Sequence, residues 1–160
     1  MDKKITIKDL IIGFIKTHKL FIFILTAIII WLTFSINFSV LSVVGESMEP
    51  TLNNGQLLFS HKSFMTFNRF DIIVYLDDTQ KPVIKRIIGL PGETVEYKDN
   101  FLYIDGNLID ENYSIGETED FSVQLGIDNY YCLGDNREHS RDSRAIGQIP
   151  KENIIAKVIL

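Results

Sequence analysis

The stretch KPVIKRIIGLPGETVEYKDNFLYIDGNLID, residues 81–110, alternates short runs of β-branched and aromatic residues with turn signals. Asp105-Gly106, between FLYI and NLI, predicts a two-residue type I′ hairpin, because both central positions need positive φ. Pro91-Gly92 predicts another turn between PVIKRIIGL and ETVEYK. The pattern continues on both sides, with QLLFSHKSF and DIIVYL before it and FSVQL, NYYCLG and NIIAKVIL after it. So many short runs, with little helical periodicity, predict a mostly β body over 40–160, barrel-like or sandwich-like.

Upstream the character changes. From Leu20 to Gly45 there is no charged residue, and 20–36 is almost purely apolar. At about 1.5 Å of rise per residue, some twenty residues span a hydrocarbon core of about 30 Å. A cleavable leader would have a shorter apolar core and then a small-x-small site, whereas NFSVLSVV follows here. A soluble helix of that length with no polar face is foreign to so small a protein. Residues 20–39 are therefore expected to be a transmembrane anchor and 1–19 a cytoplasmic segment, part of it a short surface helix. Lys3, Lys4, Lys8, Lys16 and Lys19 precede the anchor. By the positive-inside tendency they put the N-terminus in the cytoplasm and the body outside the cell membrane, as a single-pass protein.

Charge narrows the partners. The chain carries −5 overall, but residues 1–19 hold five Lys and two Asp, while 45–160 hold 11 Lys or Arg against 19 Asp or Glu. The tail is thus +3 and the body −8. An acidic body excludes a nucleic-acid footprint, and a basic tail beside an apolar run fits a lipid bilayer. Cys132 is the single cysteine, so no intramolecular disulfide forms, and no Cys/His spacing resembles a zinc site. The chain is read as a monomer without metal or cofactor.

Three segments carry chemistry. The first is GESMEPTL, 45–52, where Ser47 sits just past the anchor. A hydrolytic serine needs a base. His18 falls on the cytoplasmic side, and His61 and His139 lie in polar, exposed-looking settings. The second segment, VIKRII, 83–88, offers Lys85 instead. By alternation Lys85 shares a face with Val83 and Ile87, and Arg86 the opposite face, so one of the two cations points inward or along a groove. An edge lysine that discourages aggregation is the alternative. To act as base, Lys85 must be neutral, which means lowering a pKa of about 10.4 by burial at a cost of about 3 kcal/mol. The third is the loop GDNREHSRDSRAIG, 134–147. A calcium loop fails because Arg137 stands where an oxygen ligand is needed. Bidentate Asp–Arg pairs can instead fix a loop that hands a serine hydroxyl to a buried amine.

Together SMEPTL (47–52), FDIIVY (70–75), KRIIGLPGE (85–93) and GDNREHSRDSRAIG (134–147), in that order after one anchor, resemble the bacterial type I signal peptidases, in their compact Gram-positive form. The resemblance covers nearly the whole body. It implies an antiparallel β domain and a membrane-bound serine endopeptidase that removes signal peptides from exported preproteins. Ser47 would be the nucleophile, with its own backbone N–H in the oxyanion hole, and Lys85 the general base. Ser140 would orient the Lys85 amine, and Asp142 and Arg144 would form a supporting ion pair. Val43, Met48, Leu52 and Ile84 would line shallow pockets for small residues of a substrate bound as an added strand. Two positions depart from the family pattern: Gly45 stands where some members have a serine donor, and Phe70 where a glycine is usual. A related Ser-Lys peptidase with a dedicated pilin or conjugation-factor substrate is the alternative, as is an inactive preprotein-binding relative.

Overall fold

The computed structural model describes residues 7–62 and 66–160, for 9–12 the backbone alone. The tail with Lys3 and Lys4, and the end of the QLLFSHKSF run, lie outside the described residues. The chain divides into two units at the Asn37/Phe38 junction.

The first unit is helical, with α1 (Ile7–Thr17) and α2 (Lys19–Asn37). Backbone bonds from His18 N to Phe14 O and from Ile22 N to His18 O bridge the two. Helix α2 is long and apolar enough to cross a membrane, at 19 residues or about 28 Å. Its few polar side chains bond back to its own backbone: Thr33 Oγ1 to Ile29 O, Ser35 Oγ to Trp31 O and Asn37 Nδ2 to Thr33 O. Such internal satisfaction is what an apolar surrounding demands. The helix ends two residues earlier than the expected 39, because Phe38 and Ser39 already belong to a strand.

The second unit is antiparallel β. Its elements are β1 (Phe38–Ser42), β2 (Leu57–His61), β3 (Ile72–Leu76), β4 (Pro82–Gly89), β5 (Thr94–Lys98), β6 (Phe101–Ile104), β7 (Asn107–Ile109), β8 (Phe121–Gln124), β9 (Asn129–Leu133), α3 (Ser143–Ile146), β10 (Ile149–Pro150) and β11 (Ile154–Ile159). A seven-stranded sheet runs β1-β2-β11-β3-β4-β9-β10 and a four-stranded one β7-β6-β5-β8. The expected hairpin is present, with Asp105 at φ 49° and Gly106 at φ 77° between β6 and β7. A second such turn, Asp99-Asn100, joins β5 to β6 with both residues at positive φ.

Strand β4 organises the core. Ile84 packs on the cluster of Met48, Leu52, Ile72 and Val158, Ile88 on that of Val95, Tyr97 and Leu133, and Ile87 on that of Ile73, Tyr75 and Cys132. Because β4 is covered on both faces, both of its cations are buried, Lys85 at 3% and Arg86 at 7% exposure. Only one of them was expected to point inward.

Candidate active site

The loop carrying Ser47 leaves β1 and returns to β2. It is closed by bonds from Val43 N to Gln56 O and from Gly55 N to Val43 O. Met48 and Leu52, 1% and 0% exposed, pin it into the core. Leu52 N donates to Met48 O, and the Glu49–Pro50 peptide is cis. Anchored on one side by two buried apolar residues, the loop turns the half-buried Ser47 toward β4.

There Lys85 Nζ donates to Ser47 Oγ at 2.8 Å and to Ile84 O at 3.0 Å. Among the described residues no carboxylate pairs with Lys85. Burial pulls its pKa down from 10.5 to about 8, against the opposing pull of Asp142 and Asp135. At mildly alkaline pH the amine is thus neutral, and the same contact can reverse, with the hydroxyl donating to the nitrogen lone pair.

Arg86, on the opposite face of β4, holds the loop in place. Its Nε and Nη2 reach Asp135 Oδ1 and Oδ2 at 2.8 and 2.6 Å, a bidentate pair. Thr51 Oγ1 donates to the same carboxylate at 2.5 Å. Arg86 Nη1 also donates to Phe70 O at 3.0 Å, and its guanidinium lies over the Tyr113 ring. Asn136 N donates to Ser47 O at 3.1 Å, tying the 134–147 loop to the nucleophile's own backbone. Gly134 makes this approach possible, since a Cβ there would stand 2.5 Å from Ser47 O and collide with Ser140 Oγ. Arg86, Asp135, Thr51 and Gly134 escaped the sequence reading as site residues; the one available signal was the glycine opening the GDN run.

Asp142 and Arg144 are joined, Nη2 to Oδ2 at 2.8 Å and Nε to Oδ1 at 2.8 Å. The wholly buried Asp142 also accepts from Gly134 N at 3.0 Å and caps α3 through Arg144 N. Arg144 Nη2 donates to Arg137 O at 2.6 Å. The pair therefore clamps both ends of the loop. Ser140 Oγ is buried against Gly134 and has no hydrogen-bond partner among the described residues, so the expected bond to Lys85 is not formed.

A pocket of about 230 Å³ opens beside the Ser47–Lys85 contact between residues 42–44 and the start of β4, with Val43, Met48 and Ile84 on its walls. Leu52, expected with them, lies in the core behind Met48 and does not line it. Strand β9 pairs with β4 only from Arg86 onward, so on that side residues 82–85 are left open. Ser47 N–H donates to nothing among the described residues. Gly45 N is spent on Asn54 Oδ1 at 3.0 Å, and Gly45 has φ 92°, a conformation a serine would adopt only with strain. No group of three or more His, Cys, Asp or Glu among the described residues could hold a metal ion.

Residues 14–160 match the family model described as signal peptidase, peptidase S26. Signal peptidase I V of Bacillus subtilis is 40% identical over 136 residues, 72% of this chain and 80% of that protein. Signal peptidase I P of Bacillus subtilis subsp. natto is 34% identical, over 96% of this chain and 90% of its own length. The crystal structure of a signal peptidase I from Enterococcus faecalis, 35% identical, superposes with a TM-score of 0.55 over 61% of this chain and all of that one. The antiparallel β body is thus shared with a protein matched in sequence as well, and the chain belongs to the signal peptidase I family of peptidases, S26.

Proposed function

We propose that this chain is a single-pass membrane serine endopeptidase that cuts signal peptides from exported preproteins with a Ser47–Lys85 dyad. The observation that carries the reading is the 2.8 Å contact between Ser47 Oγ and an amine whose burial lowers its pKa to about 8. Neutral Lys85 takes the Ser47 proton as Oγ attacks the scissile carbonyl. The resulting oxyanion meets the free Ser47 N–H. The Lys85 ammonium then protonates the leaving amine, and the neutral amine activates the water that hydrolyses the acyl-enzyme.

The remaining residues support this step. Ser140 Oγ, which makes no hydrogen bond among the described residues, is the group that would accept a Lys85 N–H and so aim the nitrogen lone pair at Ser47, and the Asp142–Arg144 pair holds that loop. The apolar pocket at Val43, Met48 and Ile84 suits the small residues that precede the cut. A preprotein segment would lie as an added strand along the open side of 82–85. Helix α2 is the anchor, with the lysine-rich side in the cytoplasm and the β body outside, where a signal peptide emerges from the membrane. Gly45 supplies no side-chain donor, so the second oxyanion partner is water or another backbone group.

The test is cleavage of several preproteins by the purified full chain. Ser47→Ala and Lys85→Ala should each abolish cleavage while leaving the circular dichroism spectrum unchanged. Normal cleavage by either variant would remove the dyad.

A further inference from the structure

A second pocket, of about 300 Å³, adjoins the Ser47–Lys85 contact and is unlike the apolar one. Val83 and Lys85 face it from β4, and Tyr75, the register partner of Val83, faces it from β3. Tyr75 is 1% exposed, yet its hydroxyl has no hydrogen-bond partner among the described residues. Leaving such a group unpaired is costly, so a ligand group that reaches it is favoured. Around the pocket stand Glu46, Asp77 and Asp78 against Arg141, with His139 beside them. Asp78 and Arg141 approach at 3.8 Å, both largely exposed. Asp77 Oδ1 is committed to Thr79 and Lys81 N–H groups of the β3–β4 turn. With Lys85 in its neutral, reactive form the surroundings are acidic by two charges, three carboxylates less one guanidinium.

An extended substrate alternates its side chains between two sides. If the residue before the scissile bond enters the apolar pocket lined by Ile84, its predecessor points to the opposite side, the side of Val83 and Tyr75. We infer that the Tyr75 pocket reads the second residue before the cut, and favours a basic side chain, Lys or Arg, there over an acidic one. The ammonium or guanidinium donates to the Tyr75 oxygen at the floor and meets the carboxylates of Glu46 and Asp78 at the rim. This selection rests on the function proposed above and adds charge selection at one position.

The experiment uses the full chain in detergent and preproteins identical except for Lys, Ala or Glu at that position. The Lys substrate should have a kcat/KM about three to ten times that of the Glu substrate, the range expected of partly exposed charges, and the ratio should shrink in 0.5 M salt, about a 4 Å screening length. Tyr75→Phe should lower the Lys rate relative to Ala, and Asp78→Lys should abolish or invert the Lys-to-Glu ratio. Equal rates on all three substrates, or a ratio untouched by both variants, would overturn the selection while cleavage itself stands. The same charge preference appearing only when the residue after the bond is varied would overturn the placement. Failure of the chain to cut even the Ala substrate would overturn the proposed function, and the pocket reading with it.

Discussion

Burial of Lys85 has a thermodynamic consequence beside its proposed catalytic one. Its folded pKa of about 8 lies below the unfolded value of 10.5. The native state therefore binds fewer protons than the unfolded chain between those limits. The burial cost is fully present below pH 8 and disappears as pH rises to about 10.5. Lys85→Met should thus stabilise the protein by about 3 kcal/mol at pH 7, with the gain shrinking toward pH 10.5. Denaturant unfolding at the two pH values measures it, and a variant no more stable than the parent at pH 7 would deny the desolvation. The lysine was legible as an odd cation in an apolar strand. Its neighbour was not: the partner that lets Arg86 be buried is Asp135, 49 positions away, and nothing local in either segment announces the pair. Ser140 and Gly134, in the same loop, meet only once that loop is folded.

At the scale of elements, hairpins with turn chemistry were readable, as Asp105-Gly106 shows. Strand β1 was hidden because NFSVLSVV runs on from the apolar helix with no glycine or proline between them. Phe70, one of the two departures from the family pattern named above, occupies φ 72°, a left-handed conformation that glycine adopts without strain. Here the ring packs edge-on to Tyr113 at 5.4 Å, next to the Arg86 guanidinium. Phe70→Ala keeps the backbone strain and loses the ring, whereas Phe70→Gly loses the ring and relieves the strain. The glycine variant should accordingly be more stable than the alanine variant by about 1 kcal/mol, the reverse of the usual order in strands and helices. Thermal unfolding of the two decides it; an alanine variant as stable or better would show that φ 72° carries no strain. The smaller sheet is tied to the loop of 134–147 by Arg137, which pairs with Glu111 at 2.5 Å and stacks toward Tyr97. The backbone bonds from Ile115 N to Asp135 O and from Arg137 N to Ile115 O repeat the tie.

At the scale of the molecule, the charge split follows the division into units. A tail at +3 and a body at −8 face opposite sides of the membrane in the proposed arrangement. Protease added to intact spheroplasts should degrade the β body and spare an epitope at the N-terminus; the converse pattern would reverse the orientation. In the proposed reaction a neutral Lys85 takes the Ser47 proton, and the pH dependence of kcat/KM for preprotein cleavage reads that proton transfer. Activity should rise through about pH 8, in step with loss of the Lys85 proton. An optimum in acid, or a rate flat from pH 6 to 10, would contradict it.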